Sequence, residues 1–149
     1  MSGSEAATLA YWTEHRDQLR QSEGQRALLT NYLLVIAAAL SALITQQKFV
    51  IETLPLSILI TVVGLYGALA TAKYHERAEY HLMQARALTR VLKDMGALAD
   101  EDATLDEFRQ QHYRRYRRLS KIRLHRLWTG LHLGIAGYGL ALLIVTLAR

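Results

Sequence analysis

Residues 27–45 read ALLTNYLLVIAAALSALIT, nineteen consecutive positions without a charged side chain. A hydrocarbon layer about 30 Å thick is crossed by roughly 20 helical residues, so this stretch is long enough to span a bilayer. Two further stretches match it. Residues 54–72 (LPLSILITVVGLYGALATA) carry no charge over 19 positions, and residues 127–147 (LWTGLHLGIAGYGLALLIVTL) carry none over 21. One such helix could be the buried core of a soluble protein. Three in a chain of 149 residues leave too little polar sequence to cover them. The expected fold is therefore an all-α integral membrane protein with spans at 27–45, 54–72 and 127–147. The single proline, Pro55, agrees with long uninterrupted helices, because proline removes a donor and clashes inside a helix.

Outside the spans the chain is polar. Residues 1–26 lack an apolar core with a small-residue cleavage site, so the first span is expected to be an uncleaved anchor. Leu9, Trp12, Arg16 and Leu19 recur at helical spacing in this arm. They suit either an amphipathic helix on the membrane surface or an extension of the first span. The link at 46–53 holds Lys48 against Glu52, whereas the segment 73–126 holds 13 lysines and arginines. The excess of positive charge predicts that this long segment is cytoplasmic. The N-terminus, with Arg16, Arg20 and Arg26, is then also cytoplasmic, and the C-terminus external.

Within 73–126 the residues Ala78, Leu82, Ala85, Leu88, Leu92 and Met95 recur every three or four positions, which predicts one helix ending at Gly96. A polar connection ALADEDAT follows. Thr104 and Glu107 have capping-box spacing. A second stripe, Leu105, Phe108, His112, Leu119 and Ile122, runs without a breaker towards the third span. The expected architecture is a long cytoplasmic antiparallel helical hairpin, each arm continuous with a span. Its contact stripe is thin, so packing against other subunits is expected.

Small residues concentrate in the spans: Gly64 and Gly67 in the second, Gly130, Gly134 and Gly137 in the third, where Gly130 and Gly134 form a GxxxG pair. In lipid, small residues let helix backbones approach closely. They serve either packing within one chain or a homo-oligomer. Three helices cannot enclose a wet channel alone, so a transport role requires the oligomer. Asn31, Ser57, Thr61 and His132 are the polar side chains that could line such a pore. The alternative for each is a simple interhelical hydrogen bond, as no acidic residue lies in any span.

Residues 109–126 hold eight basic side chains and no acid. Arg109, Arg114, Arg115, Arg117, Arg118 and Lys121, interleaved with Tyr113 and Tyr116, form a candidate partner surface. Nucleic acid, anionic lipid and a cytoplasmic protein are its alternative partners, beside a purely topological role. Absence of cysteine excludes disulfides, thiol nucleophiles and thiolate metal sites. HERAE at 75–79 lacks the second histidine of a metalloprotease motif. Arg118 and His125 match the loose spacing of HEPN ribonucleases, but Leu119 stands where a polar residue is usual. No enzyme and no cofactor is expected.

The stretches WTEHRDQLRQSEGQRALLTNYLL (12–34) and ATAKYHERAEYH (70–81), with a close pair of spans, a charged hairpin and a final span, resemble small membrane proteins of bacterial defence loci. These are the accessory membrane proteins of type VI-B CRISPR loci, similar ones of RNA-editing defence loci, and SLATT effectors, many of which have two spans rather than three. The resemblance implies a homo-oligomer of the bacterial inner membrane that forms a pore or depolarises the membrane during infection. A scaffold that recruits a soluble partner through the basic helix is the alternative.

Overall fold

No proline falls between residues 3 and 46, and the interior glycine, Gly24, costs a helix only about 1 kcal/mol relative to alanine. These residues form one helix. The computed structural model describes residues 3–97 and 102–148, and its long elements are α1 (Gly3–Gln46), α2 (Leu54–Asp94), α3 (Asp102–Arg115) and α4 (Leu124–Leu147). Short 3-10 turns lie at Ile51–Thr53 and Leu119–Lys121. Three of the helices are long and apolar enough to cross a membrane. The N-terminal arm is thus an extension of the first span, with no break at residue 26.

The link from α1 to α2 is tight. Lys48 N–H donates to Thr45 O at 3.0 Å and Phe49 N–H to Ile44 O at 3.2 Å. That pair of bonds is a Schellman ending, normally built on glycine. Here Lys48 and Phe49 take φ of 57° and 59°, a left-handed conformation that costs an L-residue roughly 1–2 kcal/mol. Phe49 offsets part of this by packing on a cluster of Ala37, Ile44, Ile60, Ile135 and Leu142. At the far end of α2 the same ending uses Gly96, φ 82°, with Gly96 N–H to Lys93 O at 2.8 Å and Ala97 N–H to Leu92 O at 3.0 Å. The stop expected at Gly96 is therefore present. Residues 98–101 of the expected polar connection lie outside the described residues, as does Arg149.

The chain divides into two compact units. The span unit comprises Glu23–His75 and Leu124–Arg149; the polar unit comprises Met1–Ser22 and Glu76–Arg123. In the span unit the apolar side chains largely point outward. Leu69, Val35 and Ile144 are 72%, 66% and 64% exposed, which in water would be a large exposed apolar surface and in a bilayer is the expected lipid face.

Burial along α2 follows an alternation of three and four residues. It runs through Ser57, Ile60, Gly64, Gly67 and Thr71 in the span unit, and Ala78, His81, Ala85, Leu88 and Leu92 in the polar unit. This 3.5-residue period is the seam of a left-handed helical pair. On α1, Thr8, Trp12, His15, Leu19 and Ser22 form the matching seam of the polar unit. In the span unit it is Arg26, Thr30, Leu33, Ala37, Leu40 and Ile44.

Two expectations about the hairpin need correction. First, the stripe on α2 is covered by the α1 arm rather than chiefly by α3. Trp12 bonds Thr89, His15 bonds His81 and Arg77 bonds Gln18. The stripe of α3 stays open: Phe108 is 64% exposed, and Leu105, Leu119 and Ile122 are exposed as well. Second, the basic segment does not run continuously into the third span. α3 ends at Arg115, a 3-10 turn follows, and Ile122 is extended with ψ of 115° before α4 starts at Leu124. Arg114, Arg117, Arg118 and Lys121 stand three or four residues apart, a spacing at which like charges oppose helix. Every residue from 107 to 124 is exposed, so no packing offsets that repulsion. α3 also begins at Asp102, which places Thr104 inside its first turn instead of at the cap.

Candidate functional site

Sequence puts glycine at six places in α2 and α4, and the structure sorts them into two groups. A Cβ added to Gly64 would lie 2.7 Å from Ala136 Cα, one on Gly139 2.6 Å from Thr61 N, and one on Gly67 2.7 Å from His132 Cε1. Gly64 and Gly139 let the backbones of α2 and α4 touch, and Gly67 makes room for the His132 ring. Gly130, Gly134 and Gly137 have nothing within 4 Å of the same position. With the exposed Ala141 they recur at i, i+4, i+7 and i+11, a bare stripe along one exposed face of α4 that also carries Tyr138. The GxxxG pair is on this open face.

His132 sits where the three spans meet. It is fully buried, lies over Gly67 of α2 and shares a 3.1 Å hydrogen bond with Thr30 of α1. Thr30 also donates to Arg26 O at 3.0 Å. One turn towards the start of α1, Arg26 is buried, with its guanidinium 5.4 Å from the Trp128 ring centroid. A cation over an indole face gains roughly 2 kcal/mol when desolvated. His75 and His125 stack at 3.9 Å between ring centroids in the same unit. Arg26 Nε, Thr71 Oγ1, Trp128 Nε1 and His132 Nδ1 are buried and have no hydrogen-bond partner among the described residues. These groups put a polar cluster around His132, and Ser57 Oγ and Thr146 Oγ1 are further buried hydroxyls of the span unit without a hydrogen-bond partner among the described residues.

The four polar span residues are not brought to one surface. Ser57 and His132 are buried between helices, and Thr61 is half-buried, its hydroxyl donating to Ser57 O at 3.0 Å. Asn31 alone is exposed, on the outer face of α1.

In the polar unit, Trp12 Nε1–H donates to Thr89 Oγ1 at 2.9 Å, and His15 and His81 share a 3.0 Å contact between their Nδ1 atoms. Such a pair is stable with one proton between the two nitrogens and repels when both rings are charged. Burial, then His15, then Arg77 lower the pKa of His81, and Glu14 opposes them. Among the described residues, no cluster of three His, Asp or Glu is placed to hold a metal.

The six basic residues singled out in the sequence are all exposed. Arg109 lines a cleft of about 510 Å³ with Arg86, Thr89, Arg90, Lys93 and Tyr113. Arg114 and Arg117 line a second groove of about 470 Å³ with Gln110 and Tyr113. Arg115 lies over Tyr116, 5.9 Å from its ring centroid. Arg118 belongs to the polar unit and His125 to the span unit.

Several of these residues carry no mark in a hydropathy pattern. Arg26, Thr30 and His81 are polar residues in seam positions, and only the alternation of three and four along α1 and α2 points to them. Arg86, Arg90 and Lys93 recur at i, i+4 and i+7, a spacing that does single out one helix face. Searches against protein-family models, curated proteins and solved structures find no match for this chain.

Proposed function

We propose that this protein is a self-associating subunit of a bacterial inner membrane, whose assembly forms or gates a pore, or otherwise perturbs the bilayer, as an antiviral defence effector would. The observation that carries the reading is the bare stripe of Gly130, Gly134 and Gly137 on α4. Helices in lipid associate through such surfaces, where van der Waals contact and not water exclusion drives the pairing. A second, independent feature agrees. Asn31 presents an amide on the outer face of α1, and a polar side chain facing lipid is costly unless a neighbouring helix bonds it.

The contacts at Gly64 and Gly139 bring α2 and α4 backbone to backbone, which leaves no bore for water inside one chain. A conduit would therefore run between subunits. By charge, the polar unit and the N-terminus face the cytoplasm and the C-terminus faces outside. Recruitment of a soluble partner or nucleic acid is the second reading, favoured by the exposure of Arg114, Arg115, Arg117 and Arg118.

Ion flux from proteoliposomes and membrane potential in expressing cells test the first reading. The wild-type protein should dissipate a potential, and Gly134→Leu, which fills the stripe without touching the monomer's own contacts, should abolish the effect. Flux that persists unchanged in Gly134→Leu at equal insertion would refute this assembly face.

A further inference from the structure

We propose that the cleft between α2 and α3 binds a soluble, phosphate-rich anion of nucleotide size. Its phosphates would rest on Arg86, Arg90, Lys93 and Arg109, with a base against Tyr113. This site stands apart from the self-association proposed above and does not depend on it.

Among the described residues, four cations and no acid line this cleft, with Thr89 and Tyr113 as the remaining walls. Three of the cations come from one face of α2, where their mutual repulsion disfavours the helix. Arg86 stands 14 residues past the apolar stretch that ends at Ala72, about 21 Å along a helix at 1.5 Å per residue, beyond the reach of a lipid headgroup. The shared chemistry of phosphate therefore points to a soluble source.

The walls are pre-arranged. Arg109 Nη1–H donates to Asp106 at 3.0 Å, which fixes its guanidinium while other N–H groups remain for an anion. Thr89 is held from behind by the Trp12 indole and donates to Ala85 O at 2.8 Å. Tyr113 is exposed and braced edge-on by His112 at 5.7 Å between ring centroids. It also borders the neighbouring groove with Arg114 and Arg117. A volume of about 510 Å³ matches a small-molecule site, and aromatic faces accept any base by stacking.

The test uses full-length protein in phosphatidylcholine nanodiscs, titrated with ATP and with inorganic tripolyphosphate and followed by calorimetry. Trp12 fluorescence gives a second signal. The expected result is saturable binding of both probes. Arg86→Gln/Arg90→Gln should weaken each by about tenfold or more, since it removes two charge-assisted partners. Tyr113→Ala should weaken ATP and spare tripolyphosphate. Arg118→Gln/Lys121→Gln, outside the cleft, should change either by less than about threefold. Retained helix content and elution volume guard against misfolding, and the contrast between the two double variants does not depend on either one alone. No saturable binding of ATP or tripolyphosphate would overturn the proposal. Equal losses in the two double variants would also overturn it, since charge would then act diffusely. A third contrary result is tight binding of a single-stranded RNA of about ten nucleotides that Arg86→Gln/Arg90→Gln leaves intact. Binding that needs anionic lipid in the disc would assign the cations to headgroups instead.

Discussion

Gly64→Ala is the substitution that bears most directly on how the spans pack. The added methyl would lie 2.7 Å from Ala136 Cα, where ordinary contact begins at 3.4 Å. The gap must therefore open by at least about 0.7 Å, because Ala136 N lies closer still. The opposing atoms are backbone, so no side chain can rotate out of the way. Overpacking of this kind costs about 1–3 kcal/mol, and the upper part of that range is expected because α4 as a whole has to retreat. Retreat also loosens the cluster of Ala37, Ile44, Ile60, Ile135 and Leu142. Gly139→Ala, which meets Thr61 N at 2.6 Å, should behave alike. Gly134→Ala provides the control for packing within one chain: nothing lies within 4 Å of the new methyl, and at protein-to-detergent ratios low enough to hold single copies a cost within about 0.5 kcal/mol is expected, as for a surface change. Unfolding in mixed micelles of rising dodecyl sulfate content, followed by Trp128 fluorescence, measures the difference. The indole reports on the bundle because Arg26 lies over it. Equal midpoints for Gly64→Ala and Gly134→Ala would refute the packing described here.

Further outcomes follow from the same geometry. Because His81 has a lowered pKa when folded, the unfolded chain takes up its proton first, near the ordinary value of 6.5. The stability of the polar unit should then be full above about pH 6.5 and fall as the pH drops below it. His81→Gln should flatten that dependence, as read by thermal melts between pH 7.5 and 5.5; a profile that keeps its slope in the variant would count against the pair. Thr30→Val removes the partner of His132 and should cost about 0.6–1.7 kcal/mol in the same micelle titration. Lys48→Gly relieves a left-handed residue and should raise stability by about 0.5–1 kcal/mol, whereas Gly96→Ala should lower it by about 1–2 kcal/mol; opposite signs in either melt would contradict the Schellman endings assigned to α1 and α2.

The three spans were legible because absence of charge over 19 or more residues is a local property that no tertiary contact alters. The stop at Gly96 was legible for a similar reason, since the left-handed turn is a property of glycine itself. The seams were harder to read. On the α1 arm the sequence offers Leu9, Trp12, Arg16 and Leu19 as a stripe; Trp12, Arg16 and Leu19 are half-buried, but Leu9 is exposed, and Thr8 and His15, half-buried, and Ser22, buried, join the seam instead. A hydrophobic pattern gives Leu9 weight over Thr8 and His15, although helix packing rewards small and hydrogen-bonding residues equally. The glycines pose the same difficulty. Six of them mark α2 and α4 as close-packing helices, but only the rotation of each helix decides that Gly64, Gly67 and Gly139 face inward while Gly130, Gly134 and Gly137 face out. The interruption after Arg115 left no breaker in the sequence. It reflects repulsion among arginines combined with the lack of a packed face, and the second of these is not visible until the partner of α2 is known.

The central claim is self-association through the outer face of α4, and the protein mass in nanodiscs, from light scattering corrected for lipid, tests it most directly. A particle containing several copies of the 16.9 kDa chain, reduced to one copy by Gly134→Leu with helix content retained, is the result this account predicts. A wild-type protein that remains a single copy, or an assembly that Gly134→Leu leaves intact, would contradict it.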